Sequence, residues 1–115
     1  MEERMQRLRQ LIKESEHIVF FGGAGVSTES QIPDFRSDEG LYSGTEQKKY
    51  PYPPETMLSH SFFVRHTEQF FAYYFDKMVY PQAKPNAAHI ALAKLEQMGK
   101  LSAVVTQNID GLHQL

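Results

Sequence analysis

The segment HIVFFGGAGVST, residues 17–28, decides the fold. Its first five residues form a short, continuous apolar run of mostly β-branched and aromatic types, which favours a strand buried on both faces. Gly22 and Gly23 end the run. Because strands covered on both faces are typical of parallel sheets, we predict an α/β fold.

A second strand and its connecting helix extend this sheet. Leu101 to Thr106 is a second apolar run that predicts a buried strand. The helix before it runs from Asn86, a good N-cap, to Met98, and Gly99 follows where a left-handed residue belongs. We predict that this helix is the crossover between parallel strands, right-handed by the usual rule. An amphipathic helix, Glu2 to Ser15, precedes the first strand.

The part of the chain between the first strand and this helix divides into a loop and a helical stretch. Ser30 to Pro54 is rich in proline and glycine and follows neither period, so we predict a long functional loop, a lid or a ligand-binding segment. Aromatic residues three or four apart then predict a helix with a core-facing stripe, an interpretation favoured over an aromatic ligand site. The stripe comprises Phe63, Phe70, Phe71, Tyr74, Phe75 and Met78.

Composition limits the class of protein. The net charge of −2, from 12 basic and 14 acidic residues, gives no electrostatic footprint for nucleic acid or an anionic membrane. There is no cysteine, so the chain predicts neither a disulfide nor a metal site of its own. The apolar runs are too short to span a bilayer and the first residues lack a signal-peptide pattern, so we expect a cytoplasmic protein.

The two predicted strands form a small sheet whose edges are open. We therefore expect marginal stability or self-association. Gln107 to Leu115 follow the second strand without a cap or a polar tail, so we also expect the chain to end within an element.

The glycine-rich stretch Gly22 to Thr28 follows a strand directly. In that context glycines let the backbone approach a diphosphate, whose charge is received by N–H groups and hydroxyls. A plain tight turn explains the glycines equally well. Thr28 replaces the third glycine of the dehydrogenase fingerprint, so an ordinary hydride-transfer enzyme is disfavoured.

Two further groups of polar residues suit a nucleotide. In the loop, Arg36 could pair with phosphate oxygens, Asp34 could lock loop amides or Arg36, and Phe35 could cover a flat ring. A surface salt bridge beside an anchoring aromatic residue is the simpler alternative. After the second strand, Gln107 and Asn108 suit ribose hydroxyls.

Asp110 and His113 follow in the same segment. Asp110 only accepts hydrogen bonds when ionised, so it suits the N–H of a carboxamide. On local grounds, capping of a following helical turn by Asp110 and His113 is an equal alternative.

Four motifs occur in the order and approximate spacing found in sirtuins, the NAD-dependent protein lysine deacylases. They are GAGVS at 23–27, IPDFR at 32–36, AKPNAAH at 83–89 and TQNIDGLHQ at 106–114. The chain resembles the N-terminal part of the sirtuin catalytic domain. The resemblance implies a Rossmann-type parallel sheet, present as its first two strands, with a helical insertion and a cofactor-binding loop. The Rossmann half would comprise 1–36 and 84–115, and the cofactor loop and helical module 37–83.

The resemblance also implies a reaction and the residues that serve it. The acyl-lysine oxygen attacks the anomeric carbon of the nicotinamide ribose, nicotinamide leaves, and the acyl group ends on ADP-ribose. Asn108 is implied as catalytic, Arg36 lies near the phosphates, Phe35 lies beside the reacting ribose, and Ile109 with Asp110 binds the carboxamide. The implied NAD-binding residues are Gly23, Ala24, Gly25, Ser27, Thr28, Asp34, Phe35, Arg36, Gln107, Asn108, Ile109 and Asp110.

One catalytic group of the family has no counterpart in this sequence. Sirtuins use a histidine in a His-Gly pair as general base, and none of the five histidines lies in such a pair; His113 matches a position with a supporting role. The family's zinc-binding cysteines are also absent, so zinc is expected only in a further part of the domain. We predict little or no turnover by this chain alone.

Partners follow from the same resemblance. Acetyl-lysine proteins or peptides and NAD are expected, without nucleic acid or membrane. His66 to Asp76 contains no Arg or Lys, which favours a neutral acyl group. The alternatives are a noncatalytic NAD or ADP-ribose binding module, or ADP-ribosyl transfer.

Overall fold

The fold is a two-stranded sheet. One helix precedes the first strand, and the other helices of the described residues lie between the two strands along the chain. A computed structural model describes residues 1–37, 40–43 and 50–115. The helices are α1 Glu2–Glu14, α2 Pro54–Met57, α3 His60–Arg65, α4 Thr67–Lys77 and α5 Ala87–Gln97; the strands are β1 Ile18–Gly22 and β2 Leu101–Thr106; two 3₁₀ helices cover Ala24–Ser30 and Leu41–Ser43.

The two strands pair in parallel, with Val19 opposite Ala103 and Phe21 opposite Val105. Helix α5 leads into β2, so the predicted parallel sheet and its connecting helix are confirmed. A two-stranded parallel sheet joined through a helix is the minimal unit of a Rossmann-type fold. Among the described residues, no helix is long and apolar enough to cross a membrane.

Both ends of α5 have the predicted caps. The Asn86 side chain accepts a hydrogen bond from the Ala88 N–H at 2.9 Å, and His89 Nδ1 accepts one from the Asn86 N–H at 3.1 Å. This reciprocal arrangement satisfies donors that the first helical turn leaves unpaired. After the helix, Gly99 has a φ of 75°, a left-handed conformation that costs glycine little.

Lys100 joins α1 to the start of β2. Its ammonium group donates to the backbone oxygens of Ile12, Lys13 and Ser15 at 3.0–3.1 Å. Carbonyl groups at a helix C-terminus lack intrahelical partners and carry partial negative charge, so a lysine suits this position. The contact fixes where the chain enters β1.

The predictions that β1 is buried on both faces and that β2 is a buried strand are wrong, because the two strands contain no buried residue other than Gly22. Val19 is 61% exposed, Phe21 is 66% exposed, and their neighbour Val105 on β2 is 47% exposed. Side chains alternate along a strand, so these three lie on one face of the parallel pair. Nothing in the described ranges covers that face, whereas Phe20 on the opposite face lies 6.0 Å from the His113 ring.

We expect this bare sheet face to drive self-association, and Phe21→Lys to suppress it. A lysine placed on the apolar face must lose hydration when two copies meet, whereas phenylalanine gains from the contact. Analytical ultracentrifugation should show a smaller weight-average mass for Phe21→Lys than for the wild type. Phe75→Lys is the matched control, because Phe75 is 65% exposed but lies on α4. Equal effects of the two substitutions would contradict this expectation.

The helical segment has its own small core. Met57, Phe62 and Tyr73 are buried together, and four partly buried residues pack against them: Leu41, Tyr50, Leu58 and Phe70. Burial, followed by the charges of nearby acidic groups, raises the pKa of the Tyr73 hydroxyl to about 12. The Tyr73 hydroxyl therefore stays protonated at physiological pH.

The predicted single helix with a core-facing aromatic stripe is wrong in part. The chain breaks at His66, which ends α3 and precedes α4. The stripe is not buried along its length, since Phe63, Phe71 and Phe75 remain substantially exposed. The buried aromatic residues are instead Phe62 and Tyr73, which the spacing alone does not select.

Candidate functional site

The glycine-rich turn after β1 forms a 3₁₀ helix. The Val26 N–H donates to the Gly23 carbonyl at 3.2 Å and the Thr28 hydroxyl to the Gly25 carbonyl at 3.0 Å. Such i to i+3 contacts make a tight helix, and glycines here let the chain leave the strand sharply. Ser27 faces inward and is buried.

Asn86 anchors this turn to the start of α5. Its side-chain NH₂ group donates to the Val26 carbonyl at 2.7 Å and to the Ser30 hydroxyl at 3.0 Å. Since the Asn86 oxygen also caps α5, one side chain couples the helix terminus to the turn. The turn is therefore fixed by the Asn86 side chain as well as by its own hydrogen bonds.

The segment after β2 binds directly to the glycine-rich turn. The Asn108 side-chain NH₂ donates to the Gly23 carbonyl at 2.8 Å and to the Ser27 hydroxyl at 3.2 Å. The Gln107 N–H donates to the Gly22 carbonyl at 3.2 Å. The carboxyl ends of neighbouring parallel strands meet at one edge of a sheet, which is why these two sequence-distant segments touch.

Asp110 makes contacts in two directions. One carboxylate oxygen accepts the Ser27 hydroxyl at 2.5 Å, and the other accepts the Leu112 N–H at 3.0 Å. The second contact is the local turn-capping role that the sequence left open. The first links Asp110 to the glycine-rich turn, and Leu112, buried beneath it, fixes the segment in place.

A cavity of about 100 Å³ opens where these segments meet. Predicted site residues that line it are Ala24, Ser27, Phe35, Gln107, Asn108, Ile109 and Asp110. The sequence reasoning assigned no site role to the other lining residues, Ile32, Pro33, Leu41, Lys77, Met78 and Tyr80. Ile32 and Pro33 lie within the IPDFR motif and could have been included, whereas the end of α4 carries no local signal of this role.

Thr28 and Asp34 line a neighbouring cavity of about 420 Å³. Ile32 and Pro33 border both cavities, so the two lie on either side of the same short loop. Gly25 lies on the exposed side of the turn, where an added Cβ atom would meet nothing within 4 Å. The backbone at Gly25 is thus open to close approach from solvent.

The loop that carries Asp34 and Arg36 is closed by local contacts. Asp34 accepts the Ser37 N–H at 3.3 Å and the Ser37 hydroxyl at 2.5 Å, which is the loop-locking contact considered from the sequence. Arg36 is exposed, outside the lining of either cavity, and its guanidinium carbon lies 5.5 Å from the centre of the Tyr42 ring. A contact between Arg36 and phosphate stays a prediction. Predicted loop residues 38–39 and 44–49 lie outside the described residues.

Comparison with known proteins identifies related sequences. Residues 23–115 match the model of the Sir2 family. The chain is 66% identical over 110 residues to an NAD-dependent protein deacetylase of Clostridium tetani (strain Massachusetts / E88), covering 96% of this chain and 44% of that protein. It is 61% identical over 113 residues to one of Clostridium acetobutylicum, covering 98% and 45%. The chain thus spans less than half the length of these relatives.

Solved structures of Sir2 proteins are also similar to this chain. A structure from work on the mechanism and regulation of Sir2 enzymes superposes with a TM-score of 0.83 at 42% identity, over 99% of this chain and 42% of that one. A Sir2 variant with a deacetylated p53 peptide and 3′-O-acetyl ADP-ribose gives 0.78 at 43% identity, over 96% and 42%. The fold is therefore that of a sirtuin, present in part, and the chain belongs to the Sir2 family.

Proposed function

We propose that this chain forms the NAD-binding part of an NAD-dependent protein lysine deacetylase. The observation that carries the proposal is the direct bonding of Asn108 and Asp110, after β2, to Gly23 and Ser27, after β1. This bonding creates one cavity from two sequence-distant segments. Relatives named NAD-dependent protein deacetylases, to which the chain is 60–66% identical, support the same assignment.

The chemistry of the cavity suits one end of a dinucleotide. Its volume is well below the ~300–1,000 Å³ of pockets that enclose a whole small molecule, so it would hold a single ring and its nearest groups. Phe35 and Ile109 offer apolar surface to a flat ring, and the Asp110 carboxylate and the Asn108 side-chain oxygen offer acceptors, since both donors of the Asn108 NH₂ group bind Gly23 and Ser27. The cavity beside Thr28 and the open backbone at Gly25 would take the phosphates.

Each side chain has a distinct task in the proposed reaction. Bound NAD supplies the ribose whose bond to nicotinamide is broken. Gln107 and Asn108 would orient the ribose through its hydroxyls, and Asp110, itself held by Ser27 and Leu112, would accept the N–H of the carboxamide. Phe35 covers the reacting side and excludes water. Arg36, which is exposed on the neighbouring loop beside Tyr42, would pair with the phosphates.

The proposed substrates are acetyl-lysine proteins or peptides. A Sir2 structure with a propionylated peptide supports short, uncharged acyl groups. Residues 1–36 and 84–115 would form the Rossmann half, and residues 37–83 the cofactor loop and helical module. We propose a cytoplasmic location for the protein.

A noncatalytic NAD or ADP-ribose binding module is the second candidate. It would use the same cavity, lined by Ser27, Asn108 and Asp110, and would need no general base to bind the nucleotide. The two functions share the cavity and differ in turnover. Calorimetry with NAD, followed by an assay of acetyl-lysine peptide deacetylation, separates them: binding without turnover supports the module for this chain, and turnover supports the enzyme.

Gly25→Ala tests the NAD site without disturbing the fold. Its Cβ atom would enter open space, so we expect an unchanged or slightly increased free energy of unfolding. If phosphate approaches the backbone here, the methyl group should weaken NAD binding by about tenfold, measured by calorimetry. Urea denaturation of the same variant is the control. Unchanged NAD affinity in Gly25→Ala, or a wild-type chain that binds no NAD, would contradict the proposal.

A further inference from the structure

Two histidines lie in contact beneath the candidate site. His89, at the start of α5, is 5% exposed, and its ring centre lies 4.7 Å from that of His113 in an edge-to-face arrangement. His113 lies in turn 6.0 Å from the Phe20 ring on β1. The Nε2 atoms of both histidines are shielded from solvent and lack a hydrogen-bond partner among the described residues. Buried polar atoms of this kind are rare in native proteins and call for an explanation.

Each histidine is linked to one of the two segments that form the cavity. His89 Nδ1 accepts the Asn86 N–H, and the Asn86 side chain holds the glycine-rich turn at Val26 and Ser30. His113 follows Asp110 by three residues in the segment after β2. The imidazole contact is therefore a second connection between the two segments, besides the Ser27–Asp110 hydrogen bond.

The His89 contacts define its charge state. Because Nδ1 accepts a hydrogen bond from Asn86, it carries no proton, and the neutral ring has its proton on Nε2. Protonation of Nδ1 would remove that acceptor from the capping box. It would also place a positive charge in a buried position against the second imidazole, His113.

We propose that His89 and His113 are positioning residues, which hold the glycine-rich turn and the Asp110 segment in register for NAD only while the His89 ring is neutral. NAD affinity then falls in acid. The inference rests on the proposed function for its NAD-binding readout, and on the geometry alone for its structural readout.

The titratable groups whose charges act on His89 are His113 and Asp110. Burial, and then His113, lower the pKa of His89 below the ordinary value of 6.5, while the Asp110 carboxylate acts in the opposite direction. The unfolded chain therefore binds a proton more readily than the folded chain between the lowered pKa and 6.5. Stability is full above this window and falls as the pH drops through it.

A double variant, His89→Gln with His113→Phe, replaces both imidazole rings and keeps their other contacts. Glutamine at this position of a helix can accept the N-cap N–H, so the capping box is retained. Phenylalanine retains a ring against Phe20. His17→Gln is the matched control, because His17 is an exposed histidine before β1.

Calorimetry with NAD at pH 7.5 and pH 5.5 is the first measurement. The wild type and His17→Gln should lose affinity at the lower pH, by less than the roughly tenfold that one proton with the ordinary histidine pKa would give, and the double variant should lose less than the wild type. The inference is overturned if wild-type affinity is the same at both values, or if the double variant loses as much as the wild type.

An NMR titration without NAD gives the structural readout. The Leu112 amide, which donates to Asp110, should shift with the same midpoint as the His89 ring, and this inflection should vanish in the double variant. If the double variant does not fold, His113→Phe alone should raise the His89 midpoint, since it removes a group that lowers the pKa of His89. The inference is contradicted if the Leu112 amide does not shift with the His89 titration, or if the His89 midpoint does not rise in His113→Phe. Should no NAD bind at either pH, the proposed function fails and this titration alone decides the inference.

Discussion

Replacing Asp110 by alanine is expected to weaken NAD binding by at least about thirtyfold, which corresponds to about 2 kcal/mol. The carboxylate accepts bonds from the Ser27 hydroxyl and the Leu112 N–H, and hydrogen bonds to a charged group are worth about 1.5–3 kcal/mol each. Its loss would remove the proposed carboxamide acceptor and loosen the segment that carries Asn108. Calorimetry at pH 7.5 measures the change in affinity.

Two further variants separate the roles of Asp110. Asp110→Asn retains an oxygen that can accept the Leu112 N–H but lacks the charge, so it should keep the turn and still bind NAD weakly. Ser27→Ala removes one donor to Asp110 and leaves the carboxylate, so a smaller loss is expected. A folded Asp110→Ala chain that binds NAD within about threefold of the wild type would refute the assignment.

Gly40→Ala is expected to lower the free energy of unfolding by about 2 kcal/mol, as overpacking in a fixed region does. An added Cβ atom would lie 2.8 Å from the Phe35 carbonyl carbon and 2.9 Å from the Arg36 nitrogen. The loop cannot simply open, because the Leu41 and Tyr42 amides donate to the carbonyls of Asp34 and Phe35. The clash should displace Phe35 from the cavity and weaken NAD binding as well.

Urea denaturation of Gly40→Ala measures the first effect and calorimetry with NAD the second. Gly25→Ala is the matched control for stability, because the same substitution there meets no atom within 4 Å. A Gly40→Ala chain as stable as the wild type would show that the loop tolerates the displacement, contrary to the close backbone contacts.

Features set by local sequence could be predicted. Asn86 and Gly99 mark the ends of α5 through groups that act within a few residues, and the apolar runs of β1 and β2 need no distant partner to be recognised. The convergence of the glycine-rich turn with the segment after β2 was also predictable. Parallel strands joined by a helix bring their carboxyl ends to one edge.

Features set by packing could not be predicted from periodicity. The exposure of Phe21 depends on which residues cover the sheet, and its neighbours in sequence do not determine this. The stripe is divided between two helices at His66, and Tyr73 is buried in the core whereas Phe75 is exposed. Lys77 reaches the cavity only through the path of α4, which no local motif encodes.

The central claim is that the glycine-rich turn and the segment after β2 bind one NAD molecule together. NMR titration of the ¹⁵N-labelled chain with NAD tests it most directly, through the amides of residues 23–28 and 107–110. The amides of both segments should shift along saturating curves with one dissociation constant. Shifts confined to one segment, two different dissociation constants, or no shift in either segment would contradict it.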